Sequence, residues 1–359
     1  MNDYELWFAM SNLSYSVKRK LLANFKNVET LWYESICNRN SNLIDIKILN
    51  VLKDNWDIEK INLMKEKLEK YEINTVVITD ELYPESLKVY EDVPYMLFYK
   101  GNIKKLNEKY NVAIVGSRKC TSYGINISNM ITESLCYNNV NIISGMARGI
   151  DSIAHSKCIE KKGYTCAVLG SGLDIIYPKE NSSLYNEILK DGCILSQFIP
   201  GTKPYSYNFP IRNRIISGLS NIVIVVEAGK KSGSLITAGA ALEQGKDVIA
   251  VPGNIFSTES VGANQLIKDG AYVLTNIKDI YELLHIKSIK ETEIKKLIMN
   301  NVEKVVYKQI TATPIHIDDI LRLTNLNIKK VYEILLNLQL NDEIMCLSGN
   351  YYVRNIKKI

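Results

Sequence analysis

Residues 208–239 read NFPIRNRIISGLSNIVIVVEAGKKSGSLITAG, and the fold follows from how this stretch divides. The β-branched run 222–226, bounded by turn residues, has the length and composition of a buried strand in a parallel sheet. The turn Glu227-Ala-Gly-Lys-Lys-Ser-Gly-Ser comes next, and Leu235-Ile-Thr-Ala-Gly-Ala-Ala-Leu-Glu-Gln continues as a helix. A turn holding Gly229, Ser232, Gly233 and Ser234 at a helix N-terminus aims backbone N–H groups at one point, where the helix dipole favours phosphate. Arg212, Asn213, Arg214, Lys230 and Lys231 lie close by in sequence. The stretch reads as a phosphate-binding site; the competing reading is a glycine-rich turn used only for tight packing.

The same strand–turn–helix unit recurs outward from there. Val112-Ala-Ile-Val is followed by Gly116-Ser117-Arg118 and a helix over about 122–137. Val140-Asn-Ile-Ile leads to Ser144-Gly145-Met-Ala-Arg148-Gly149, and Thr165-Cys-Ala-Val-Leu to Gly-Ser171-Gly. Further strands are expected near 192–196, 247–250 and 270–274. Alternation of this kind builds a doubly wound parallel α/β sheet, with ligands at the carboxyl ends of the strands. Arg118, Ser144, Arg148, Ser171, Arg212 and Ser232 all follow strands and are expected on one rim. Residues 71–110 hold one strand, 75–79, within a proline-marked connector.

Both ends of the chain read differently. Residues 1–70 show helical spacing, but the turn Ser11-Asn-Leu-Ser-Tyr-Ser lacks the glycines a helix-hairpin-helix needs to touch phosphate, which favours packing over DNA contact. Residues 281–300 read as a polar linker. Residues 301–359 have the pattern of a winged helix: a helix over 302–310, Asn327 capping a helix from Ile328, and a hairpin from 344–346 and 351–353. Eight basic residues face six acidic ones there, a thin excess for duplex DNA that leaves protein contact equally open.

With 359 residues, 46% hydrophobic, 23% charged and a net charge of +5, the chain has room for two or three domains and a mildly basic surface. Seven scattered cysteines without a C-x-x-C pair point to reduced thiols and away from zinc. The N-terminal stretch MNDYELWFAM has no signal-peptide pattern, and a cytoplasmic protein without membrane spans is expected. The turn at Gly116 is not G-x-G-x-x-G, and Gly229-Lys-Lys-Ser lacks the first glycine of a Walker loop. His155, four residues after Asp151, reads as a surface or capping pair. No catalytic set assembles. Arginine, lysine, serine, glycine and one ring, Phe209, remain, which is the equipment for single-stranded nucleic acid.

VAIVGSR (112–118), SGMARGID (144–151), AVLGSGLD (167–174), Tyr177-Pro178, FPIRNRIISGLS (209–220), SGSLITA (232–238), AVPG (250–253) and NQLIKDGA (264–271) occur in the order in which they resemble the DNA-processing protein A family (DprA, also called Smf). The resemblance covers about 75–355. It implies an extended Rossmann-like parallel sheet (71–280) between an N-terminal helical domain, SAM or helix-hairpin-helix-like (1–70), and a C-terminal winged helix (301–359). It also implies single-stranded DNA binding without enzymatic activity or a cofactor, protection of incoming DNA, and loading of the RecA recombinase in natural transformation. On the matching motifs, Arg118 and Lys179 would contact DNA, with Gly116, Ser117, Ser144, Gly145, Arg148, Gly149, Phe209, Arg212, Asn213, Arg214, Ser232, Gly233 and Ser234 around the same pocket. Ile267 and Val273 would lie at a homodimer interface. The rival is a nucleotide-binding protein or N-glycosidic hydrolase of a related Rossmann-like family. Its carboxylate motif is replaced here by Ile236 and Thr237, and a lost general acid/base is typically worth ~10²–10⁴-fold in rate.

Overall fold

The computed structural model describes residues 2–38, 43–286, 301–340 and 343–354. Most of the expected linker and the last five residues lie outside them. Two compact units result, 1–288 and 289–359.

The first unit is organised by a nine-stranded sheet. Its strands are β1 (Asn74–Val77), β2 (Met96–Gly101), β3 (Asn111–Val115), β4 (Asn141–Ser144), β5 (Thr165–Leu169), β6 (Cys193–Ser196), β7 (Ile222–Val225), β8 (Asp247–Ala250) and β9 (Tyr272–Val273). The order β1-β2-β6-β5-β4-β3-β7-β8-β9 places β3 at the reversal, with β4 to its left in this order and β7 to its right. From β3 to β9 all pairings are parallel, as the buried apolar runs imply. The stretch expected to be a connector with one strand, 75–79, holds that strand as β1 and adds a second, β2; β2 pairs antiparallel with β6, and β1 with β2. Met96, Leu97 and Phe98 open β2, two residues after Pro94, and all three are buried. The prolines flag the turns and hide the strand that follows Pro94. Tyr83, fully buried, fastens that turn by donating its hydroxyl to the Pro94 carbonyl at 2.7 Å.

Five helical segments precede the sheet: Asp3–Met10, Tyr15–Asn24, Val28–Trp32 with a π-turn over Tyr33–Cys37, Ile46–Asp54 and Ile58–Lys70. Side chains of Asn2, Ser14, Asn27, Asp45 and Asp57 cap them, accepting backbone N–H groups that would otherwise be unpaired. Leu6, Trp7 and Phe8 are buried in one cluster with Met96, Phe98, Ala167 and Ile194, so these helices share the core of the sheet. The glycine-free turn before Tyr15 is built on the Ser14 cap. Its following cations point inward. Lys18 donates to the Ala9 carbonyl at 2.7 Å, and burial pulls its pKa down to about 8. Arg19 donates to the Lys88 and Tyr90 carbonyls. Packing thus engages two of the three cations that follow the turn, and Lys20 stays exposed.

His155 is not a surface residue. It is fully buried, and its partner is Thr165 rather than Asp151, with Nδ1 2.6 Å from Oγ1. The Thr165 hydroxyl also reaches the Ile142 carbonyl at 2.9 Å, which joins the imidazole to the end of a neighbouring strand. Burial first, and the Arg212 charge second, pull its pKa from 6.5 to about 3.

The second unit is a winged helix with its own core of Val306, Ile310, Ile317, Ile320, Val331, Ile334, Leu335, Leu338, Ile344 and Tyr352. Asn327 Oδ1 accepts Lys330 N at 2.8 Å, capping the helix Ile328–Leu340 as expected. Strands Ile315–His316, Ile344–Leu347 and Tyr351–Arg354 form a three-stranded sheet. Lys330 pairs with Glu333, and Arg354 lies over the Tyr307 ring. Ile328, Tyr332 and Leu336, spaced by four, are exposed along one helix face. The available basic surface is therefore thinner than the sequence count.

A neutral buried imidazole has a definite acid signature. Its folded pKa lies below the unfolded value, so its contribution is complete above about pH 6.5 and is lost as pH falls toward 3. By pH 5 the loss is about 2 kcal/mol. The melting temperature should fall by several degrees from pH 7 to pH 5, and His155→Leu should flatten that slope. Parallel slopes in the two proteins would exclude His155 as the source.

Candidate functional site

The turns after β3, β4 and β5 and one helix, Asn208–Leu219, build a cleft lined by Arg118, Gly145, Ala147, Arg148, Gly170, Ser171, Tyr177, Pro178, Phe209 and Arg212. It lies at the carboxyl ends of the strands, beside the reversal in strand order, where open α/β sheets bind ligands.

Arg212 is its floor. The guanidinium is buried, with Nη1 donating to the carbonyls of Gly145 (2.7 Å) and Val168, and Nε to Asn213 Oδ1 at 3.0 Å. It thus ties the ends of β4 and β5 together. Asp151 sits below, its Oδ2 accepting the N–H groups of Gly145 (3.1 Å) and Ala147 (3.4 Å). A Cβ on Gly145 would fall 2.6 Å from Arg212 Nη1 and 2.8 Å from Asp151 Oδ2, so any larger residue would displace one charge or the other. Burial pulls the Arg212 pKa down to about 10, partly offset by Asp151 and helped by Arg118. Arg212 therefore remains a cation at neutral pH. Burial raises the Asp151 pKa, against the pull of Arg212.

Arg118 forms the exposed rim. Gly116 and Ser117 make the turn beneath it, and Ser117 Oγ accepts Lys119 N at 3.0 Å and bonds Glu259. Gly149 has φ +76°, and a Cβ there would meet the Ser117 carbonyl and lie 2.9 Å from Arg118 Cα. Only glycine lets the β4 turn press on the β3 turn and fix Arg118. Ile150 N closes the contact onto the Ser117 carbonyl at 3.2 Å. Phe209 lies between the charges: its ring centroid is 5.7 Å from Arg118 Cζ, 5.7 Å from Arg212 Cζ and 5.7 Å from the Tyr177 ring. The ring is half-buried and lines the cleft. Asn208, one residue earlier, holds the helix start to the Gly170 carbonyl at 3.1 Å. Asn181 Nδ2 donates to the Met146 carbonyl at 2.8 Å and brings exposed Lys179 to the same mouth, where Arg148 pairs with Glu180.

Other expected rim residues are placed elsewhere. Consecutive helical residues turn by about 100°, so Arg212 and Arg214 point nearly oppositely. Arg214 pairs with Asp92 (2.8 Å) and Glu243 (2.5 Å) outside the cleft. Asn213 bridges, accepting from Arg212 and donating to the Gly233 carbonyl at 3.2 Å. Ser232, Gly233 and Ser234 open the helix Gly233–Glu243 on the β7 side. There the Ser232 hydroxyl caps Ser234 N and bonds the Ser234 hydroxyl at 2.7 Å, so this turn serves itself. Lys230 and Lys231 are exposed on that turn and do not line the cleft. Ser144 donates inward to the Ile114 carbonyl at 2.7 Å, while Ser171 does line the cleft but donates its hydroxyl to the Ile175 carbonyl at 2.9 Å.

The β7 and β8 turns form a second cleft, lined by Thr121, Tyr123, Glu227, Pro252, Gly253, Asn254, Ser257 and Ser260. Glu227 is buried there, accepting Thr121 N at 2.8 Å and Thr121 Oγ1 at 2.6 Å. The reversal of strand order thus separates a cationic cleft from one holding a carboxylate. No cluster of three potential metal ligands exists among the described residues. No helix among them is long and apolar enough to cross a membrane.

Fold and site together define a Rossmann-like α/β protein with a cationic, aromatic cleft at its strand ends and an appended winged helix. Residues 74–285 match the family model of DNA recombination-mediator protein A, and residues 300–350 that of the DprA winged helix domain. The chain belongs to the DprA/Smf family. It is 44% identical over 221 residues to the DNA processing protein DprA of Bacillus subtilis, covering 62% of this chain and 74% of that one. Against DprA of Streptococcus pneumoniae the identity is 38% over 273 residues, 74% of this chain and 95% of that one. An X-ray structure of S. pneumoniae DprA superposes with a TM-score of 0.68 at 36% identity, covering 79% of this chain and 98% of that one. The Helicobacter pylori DprA structure, described for its single-stranded DNA binding mode, gives 0.54 at 32% identity, with 59% and 95% covered.

Removing the floor should cost stability as well as charge. Arg212→Leu leaves Asp151 buried beside no cation, a loss of about 3–5 kcal/mol. Adding Asp151→Asn should restore part of it. Denaturant titration of the single and double variants measures the coupling, and additive losses would mean the two groups do not sense each other.

Proposed function

We propose that the arginine cleft binds single-stranded DNA, and that through it the protein protects incoming strands and loads RecA in natural transformation or recombination. The observation that carries this reading is the Phe209 ring with the Arg118 and Arg212 guanidinium groups each 5.7 Å from its centre. Cations beside an aromatic ring take a phosphate and a base from the same strand, and a base can stack only where it is not already paired. Side chains that read base edges are few in the lining, so little sequence preference is expected. The description of the H. pylori relative supports the choice of ligand.

Binding without catalysis is the companion reading. The carboxylates nearest the cleft are engaged: Asp151 is buried under Arg212, Glu180 pairs with Arg148 at the mouth, and Asp174 accepts Gly201 N at 2.8 Å. A homodimer is proposed at the β9 edge, where Val273 is 37% exposed on a two-residue edge strand and half-buried Ile267 lies on the preceding helix, Val261–Lys268. Two clefts on one strand would add avidity.

Arg118→Ala and Lys179→Ala should each weaken single-strand binding and reduce the slope of log affinity against log salt by about 0.7. Arg214→Ala, outside the cleft, should leave that slope unchanged. Anisotropy titrations over a salt series measure all three. A full slope in Arg118→Ala, or an equal loss in Arg214→Ala, would place the phosphates elsewhere.

A further inference from the structure

The loop leading from β6 into the helix Asn208–Leu219 carries two tyrosines with no role in the cleft. Tyr205 and Tyr207 stack on each other, with ring centroids 5.3 Å apart and planes at 10°, while 46% and 63% of each residue is exposed. Near-parallel rings leave outer faces for a third π-system, and nucleobases of any sequence supply one.

The loop is held against the cleft wall. Tyr205 N donates to the Lys203 carbonyl at 2.8 Å, and Asn208 Nδ2 to the same carbonyl at 3.1 Å and to the Gly170 carbonyl at 3.1 Å. Gly172 N donates to the Thr202 carbonyl at 2.9 Å. Gly170 lines the arginine cleft, as does Phe209, two residues after Tyr207. Cations attend the loop too. Lys203 is exposed, and Lys67 Nζ, from the helix Ile58–Lys70, lies 3.4 Å from where a Cβ on Gly201 would stand. The nearby anion, Asp174, is bound to Gly201 N at 2.8 Å.

We propose that Tyr205 and Tyr207 form a base-stacking platform that carries a single strand onward from the arginine cleft, with Lys203 and Lys67 facing its phosphates. The N-terminal helices then contribute a charge to the DNA path through Lys67, although their own turn does not. The platform rests on the reading of the cleft as a single-strand site.

The test compares Tyr205→Ala/Tyr207→Ala with the wild type on oligothymidines of roughly 6 and roughly 20 nucleotides over a salt series. The double variant should lose about 5- to 30-fold in affinity for the longer strand, equivalent to ~1–2 kcal/mol, with an unchanged salt slope. It should lose much less for the shorter strand. Tyr205→Phe/Tyr207→Phe should restore binding, and Tyr205→Leu/Tyr207→Leu should not. Lys67→Ala/Lys203→Ala should lower the slope by about 1.4. Wild-type affinity for the longer strand in the alanine double variant, with Arg118→Ala still impaired, would overturn the platform alone. Absence of single-strand binding by the wild type would overturn the platform together with the cleft reading.

Discussion

The buried guanidinium of Arg212 is the interaction on which the site depends. Its hydrogen bonds to the Gly145 and Val168 carbonyls tie together the ends of two adjacent strands, β4 and β5. Unpaired strand-end carbonyls in a dry interior would be costly, and an arginine satisfies both while presenting a positive charge to the cleft. Asp151 holds the opposite side through the Gly145 and Ala147 amides. The same few contacts close the fold at the strand ends and set the electrostatics of the cleft.

From that floor the rest is positioned by close backbone approach. Gly149 lets the β4 turn lock the β3 turn, which sets Arg118; Asn208 and Asn181 fasten the helix and the Lys179 segment to neighbouring carbonyls. The charged side chains then divide along the strand reversal. Cations and a ring occupy the β3–β5 side, while the buried Glu227 carboxylate occupies the β7–β8 side.

Much of this was legible because strand, turn and helix alternate with clear apolar runs. Eight of the nine strands of the large sheet, the helix Ser122–Tyr137 and the Asn327 cap follow directly from local pattern. The strand Met96–Gly101 was not legible, since prolines on its approach look like a connector and its antiparallel partner, Cys193–Ser196, lies about a hundred residues away. Side-chain direction within a motif was equally hidden. Arg212 and Arg214 sit two apart and look equivalent in sequence, yet one forms the floor and the other joins Asp92 and Glu243 on the outside. His155 and the Ser232–Ser234 turn failed for a related reason: burial and self-capping are tertiary facts. Asn181 and Asn208 could have been suspected from their places beside Lys179 and Phe209, but a strand-end carbonyl as partner has no sequence signal.

Whether the arginine cleft is where a strand binds can be read by photo-crosslinking a single-stranded oligonucleotide that carries photoreactive thymine analogues and mapping the modified peptides by mass spectrometry. Crosslinks are expected on Phe209 and Tyr177, within the arginine cleft. Crosslinks confined to the winged-helix unit or to the helices before β1, with the peptides of the cleft unmodified, would contradict that placement.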